Sequence, residues 1–172
     1  MGLTTFGVVS SGTVTDTWDP VTNPRGEPGT MQVYKNDSGE ISLVRVIQMG
    51  NTSCTAGQVL MQNHATLKGY SRRVSATGDE GGIPSGISVT AIGSQKCGYE
   101  YCGGYAIADI SETPASGEYL MISGSTAGQL TVNKASVFTA GALATLYWIC
   151  GLSRSAGTSA CDASIQIMGV WG

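Results

Sequence analysis

Charge is scarce in this sequence. Of 172 residues, 12% are Asp, Glu, Lys or Arg, about half the ~25% usual in soluble domains. Lys and Arg together number 9 and the net charge is −3, so the basic footprint of a nucleic-acid-binding protein is missing. Long hydrophobic runs are missing too: none approaches the roughly 18–20 apolar residues of a membrane helix. The opening MGLTTFGVVSSG lacks the basic region of a signal peptide. Phe6 stands where a myristoylation motif built on Gly2 wants Ser or Thr. The expectation is a soluble chain that stays where it is made, with neither a membrane nor a nucleic acid as partner. Charge keeps free monomers soluble, so the thin charge implies that much of the surface meets other protein. A plain domain coated in Ser, Thr and Gly is the alternative.

Glycine, at 25 residues, is what the chain has in quantity, and it recurs in one device. A small residue, a Gly, one more residue and then apolar residues appear at TAGQVLM (55–61), ASGEYLM (115–121), TAGQLTV (126–132) and TAGALAT (139–145). Gly takes positive φ at no steric cost and can reverse the chain. The residues after it are strand formers. Around these turns the stretch 103–132 reads as three short strands. MQVYK, NDSG and EISLVRVIQM give a hairpin signal, with turn chemistry at Asn36–Gly39. Further strands are expected in QVLMQN, in KGYSRRVSA, in GISVTAIG and in ATLYWICGL. In GISVTAIG, Ile87, Val89 and Ala91 face one way and Ser88 and Thr90 the other. Arg72 and Arg73, being adjacent, point to opposite faces. The closing ASIQIMGVWG places Ile165, Ile167 and Trp171 on one face. No stretch makes a convincing helix; residues 132–146 could hold a turn or two, but Gly141 and the β-branched residues weaken it.

These nine to eleven strands predict an all-β fold, an antiparallel β-sandwich or β-barrel of short strands. Residues 1–30 have no period and three prolines, Pro20, Pro24 and Pro28, which hold the backbone extended. They read as an extended N-terminal arm anchored by Trp18, and residues 31–172 as the β domain.

Chemistry has little to stand on. Cys97-Gly-Tyr-Glu-Tyr-Cys102 offers two thiols that could bind zinc if two more ligands converged. A cross-loop disulfide and free thiols are the other readings. The odd count of five cysteines without a signal peptide favours thiols that pack as small hydrophobes. His64 is the one histidine, so a Ser-His-Asp site would have to use it. Gly151-Leu-Ser153-Arg-Ser155 lacks the last Gly and the α/β context of a nucleophile elbow. Asp79, Glu80, Asp109, Glu112 and Glu118 are the carboxylates available for acid–base work; Asp79 and Glu80 sit between glycines, and Glu112 and Glu118 flank a Pro-Ala-Ser-Gly turn. GGIPSG lacks the Lys and helix of a phosphate loop. No cofactor or metal is expected, and an enzyme is not.

The succession SLVRVIQMGN, CTAGQVLMQN, GISVTAIG, CGGYAIADI, ASGEYLMIS, STAGQLTV and ASIQIMGVW resembles the small all-β structural proteins of tailed phages, in particular capsid decoration (cement) proteins, over about Ser42–Trp171. The resemblance implies a virion protein made in the host cytoplasm and bound to the capsid exterior. Its partners would be the major capsid protein and itself, as a homotrimer or other homo-oligomer. Aromatic and Arg side chains usually anchor interfaces, which makes Trp18, Tyr34, Arg45, Arg72 and Arg73 the candidate contacts. The competing readings are another phage part, such as a head fibre base or a tail or baseplate module, and a carbohydrate-binding β domain with Tyr99, Tyr101 and Tyr105 as its platform. A small enzyme using His64 or the Cys97/Cys102 pair is a third.

Overall fold

The computed structural model describes residues 8–9, 14–23, 25–63, 70–79, 83–132, 150–154 and 162–167. Its regular elements are eleven strands and one turn of 3-10 helix, Thr77–Asp79. The strands are β1 (Val8–Val9), β2 (Met31–Lys35), β3 (Ile41–Met49), β4 (Val59–Gln62), β5 (Ser71–Val74) and β6 (Gly86–Ser88). They continue with β7 (Cys97–Asp109), β8 (Tyr119–Ile122), β9 (Leu130–Val132), β10 (Gly151–Ser153) and β11 (Asp162–Ile167). The all-β expectation holds. The helical turns considered for 132–146 lie, but for Val132 at the end of β9, outside the described residues, as does Trp171.

All eleven strands belong to one sheet, and the sheet closes on itself. Its order is β1-β2-β3-β5-β4-β6-β7-β11-β10-β8-β9, with β3 also paired to β7. That extra pairing makes a five-strand ring, β3-β5-β4-β6-β7 and back to β3. Every contact in the ring is antiparallel except β3 with β5. A ring this small has room inside only for side chains. Of the remaining strands, β2 and then β1 extend from β3, and β11, β10, β8 and β9 extend from the second half of β7, with Ile110 bridging back to Leu130.

β7 belongs to both parts and has to change phase between them. Cys97, Tyr99 and Tyr101 face the larger core in its first half, and Ala106 and Ala108 in its second, followed by Ile110 just past its end. The parity switches at a bulge: Leu43 pairs with Gly103 but Val44 with Tyr101. One extra residue in a strand does this. Gly104 completes the bulge at φ 77°, where a Cβ would stand 2.5 Å from the Ile41 carbonyl oxygen.

The repeated turn device works as its composition suggests. Gly57, Gly117 and Gly128 have φ of 80°, 84° and 76°, the region Gly alone enters freely. Each donates its backbone N–H to a different partner, Gly57 to Ser88, Gly117 to Ser153 and Gly128 to Ser75. The side chain after the Gly closes the turn: Gln58 Oε1 accepts from Thr55 N at 3.0 Å and Glu118 Oε2 from Ala115 N at 2.6 Å. The fourth copy, at Gly141, lies outside the described residues.

The hairpin β2–β3 has the expected turn, with Gly39 at φ 83° and Glu40 N donating to Asn36 Oδ1. GISVTAIG departs from its pattern. Only Gly86–Ser88 is strand, and Ser88 is buried, donating to the Thr55 carbonyl at 2.5 Å. The backbone bends at Val89 and Thr90 to follow the ring. β11 runs between β7 and β10, and its Ile165 and Ile167 are buried.

Among the described residues there are two cores. The larger gathers Val44, Val46, Tyr99 and Tyr101 from the outer wall of the ring with Leu120, Ile122, Leu130, Ile165 and others from the extension. The smaller lies inside the ring and holds Ile47, Met49, Cys54, Leu60 and Ile92. Of the stretch read as an arm, the described part lies on the domain. Trp18 exchanges backbone hydrogen bonds with Cys97, and Gly29 and Thr30 bond to Val46.

Candidate functional site

Three of the five residues expected at a partner interface are inside the molecule. Arg45 and Arg72 are 6% and 1% exposed. Strand alternation puts Arg45, Ile47 and Met49 on the ring's inner face, where they meet Glu100 of β7 and Arg72 of β5. Arg45 donates to Glu100 Oε1 from Nε at 2.8 Å and from Nη2 at 2.6 Å, and to the Ser85 carbonyl at 2.9 Å. Arg72 donates from Nε to both carboxylate oxygens at 3.2 Å and from Nη2 to Oε1 at 3.1 Å. Ser85 Oγ donates to the Leu60 carbonyl at 2.9 Å and lies 3.4 Å from Glu100 Oε2. One fully buried carboxylate thus ties β3, β5 and β7 together with the residues flanking β6. Gly86 makes room for it: a Cβ there would stand 2.6 Å from Glu100 Oε2. These arginines are structural in this chain and present nothing to a partner.

Trp18 is also buried, at 5%, with its ring edge-on to Tyr99 at 5.5 Å between centroids. It anchors its own domain. Among the described residues its Nε1 has no acceptor. Tyr34 is half-buried against the larger core. Arg73 points away from Arg72 and forms a two-pronged ion pair with Asp79 at 2.6 and 2.8 Å. That contact lowers the Asp79 pKa and raises that of Arg73.

The candidate chemical groups are separated or engaged. Cys97 and Cys102 lie on opposite faces of β7, Cys97 in the larger core and Cys102 beside the Arg45–Glu100–Arg72 cluster, its Sγ 3.5 Å from the Leu43 carbonyl. Set on opposite faces, they are not placed to share a metal ion or a disulfide, and the four described cysteines are buried. Burial pushes the Cys102 thiol up to about 11 and the Cys150 thiol up to about 12. Glu112 accepts from Thr131 Oγ1 and Val132 N, and Asp79 accepts from Ala76 N. Ser153 is buried in β10. His64, Glu80, Ser155 and Cys161 lie outside the described residues. Among the described residues, no three His, Cys, Asp or Glu side chains gather at a metal-binding distance.

The tyrosine platform is dismantled by the bulge in β7. Tyr99 and Tyr101 are 8% and 9% exposed, and burial pushes Tyr101 up to about 12. Tyr105, beyond the phase change, emerges on the opposite face, with the Arg154 guanidinium 5.4 Å over its ring.

That outward face is what the sequence reading missed. Cross-strand register aligns Tyr105 with Gln166, Gln166 with Leu152 and Leu152 with Tyr119. Ile41, one residue before the Ser42–Gly104 pair, extends the row onto β3. Ile41 is 60% and Tyr119 47% exposed, and Ile107 beside the row is 43% exposed. The row spans five strands, about 19 Å at the usual strand spacing. Of its neighbouring charges, Arg154 is joined to Glu40 at 2.6 Å, which lowers the Glu40 pKa, while Lys35 pairs in register with Ile41 outside any ion pair among the described residues.

The other cations of the described surface are mostly paired in the same way, while the exposed Glu27 and Asp37 stand outside ion pairs. Arg25 pairs with Asp16, Arg73 with Asp79, and Lys96 with Asp19, whose pKa the Lys96 hydrogen bond helps bring to about 2. Among the described cations, Lys35 alone stands outside such pairs.

No protein-family model matches the chain, and no curated protein matches it in sequence. Among solved structures it is similar to the N base of the head fiber gp8.5 in bacteriophage phi29. The TM-score is 0.52 at 9% identity, over 75% of this chain and 96% of that one. At that identity the likeness is one of fold.

Proposed function

We propose that this chain is a structural protein of a bacteriophage particle, mounted on the outside of the head and not an enzyme. The observation that carries the reading is the likeness in fold to a head-fiber base, which takes in nearly the whole of that base. The thin, internally paired surface charge supports it, because such a surface suits broad neutral contact with protein. Two placements fit: a decoration protein that braces the shell, or the base on which a fibre stands. In either, the partner is the major capsid protein. A protein that binds the assembled shell and not its loose subunits stabilises the shell by mass action. Repetition over a symmetric lattice adds avidity.

The test is cosedimentation of the purified chain with emptied, expanded heads of its phage. Saturable binding at a fixed small number per capsomer is expected. It should change little between about 50 and 500 mM salt, since most of the described cations are already held in ion pairs. A rise in the temperature at which the heads break open assigns the bracing role, and binding without that rise assigns the fibre base. A chain that stays in the supernatant, and is missing from intact particles, overturns the proposal.

A further inference from the structure

We draw no further inference here: the strongest candidate, the pair of exposed carboxamides in the loops after β3 and before β7, where Gln95 at φ 60° brings its Nε2 within 3.5 Å of Asn51 Oδ1, carries nothing, because it rests on backbone strain and a hydrogen bond within the loops and nothing in the structure shows what it would hold.

Discussion

The two cores of this molecule are stabilised in different ways. The larger is apolar throughout, built from Val, Ile, Leu and aromatic side chains that reach it from the ring wall, the extension and the segment around Trp18. It is held by area removed from water, a term indifferent to direction. The smaller, inside the ring, has five apolar residues and an ionic cluster in which one carboxylate faces two guanidiniums. Buried ion pairs gain little net stability, because desolvation offsets their attraction. What they add is direction, since each hydrogen bond fixes which strand lies beside which. The larger core makes the fold stable, and the smaller makes the ring close in one register.

The greatest separation between the two should come from Glu100→Gln. It leaves two buried guanidiniums without their anion and should cost about 3–5 kcal/mol in urea unfolding. Replacing Arg45, Arg72 and Glu100 together with Met, Met and Leu should recover most of that loss. A triple variant as unstable as the single one would mean that the cluster contributes stability outright, and the contrast would collapse. Leu120→Ala in the larger core should cost about 2–5 kcal/mol. No second substitution at a distance should rescue it, because packing has no single partner to remove. Gly86→Ala drives a methyl group into the Glu100 carboxylate and should cost about 1–3 kcal/mol, whereas Gly78→Ala, with open space around it, should cost little. Acid should act least. Asp79, Asp19 and Glu40 have folded pKa values below their ordinary ones. Their contribution is present above the unfolded values near 4 and is lost as pH falls through the folded ones. Unfolding midpoints should therefore stay flat from pH 7 to about 5 and drift down only below about 4. A steep loss near pH 6 would contradict this account.

The sequence made some of this legible and hid the rest for physical reasons. The β2–β3 hairpin and the Gly57, Gly117 and Gly128 turns were readable because their chemistry is local. The inward arginines were half readable. Arg45 shares a strand face with Ile47 and Met49, and Arg72 stands next to Arg73, so one of that pair had to turn inward. What could not be read is that β3, β5 and β7 meet around Glu100, since the ring closes through pairings distant in sequence. The tandem Gly103–Gly104 was the signal for the phase change that buries Tyr99 and Tyr101 and exposes Tyr105. The row from Ile41 to Tyr119 left no local trace, because its members come from five strands.

β7 also has a mechanical consequence. It alone belongs to both the ring and the extension, and seven of its residues pair in register with β3. Antiparallel hydrogen bonds lie across the strand direction. A load drawn along β7 therefore shears those bonds together instead of unzipping them one at a time. A pull at right angles, on the short β9 at the end of the order, would peel it from β8 bond by bond. The molecule has a stiff axis and a soft one, and any attachment that must withstand force is best aligned with the thirteen residues of β7.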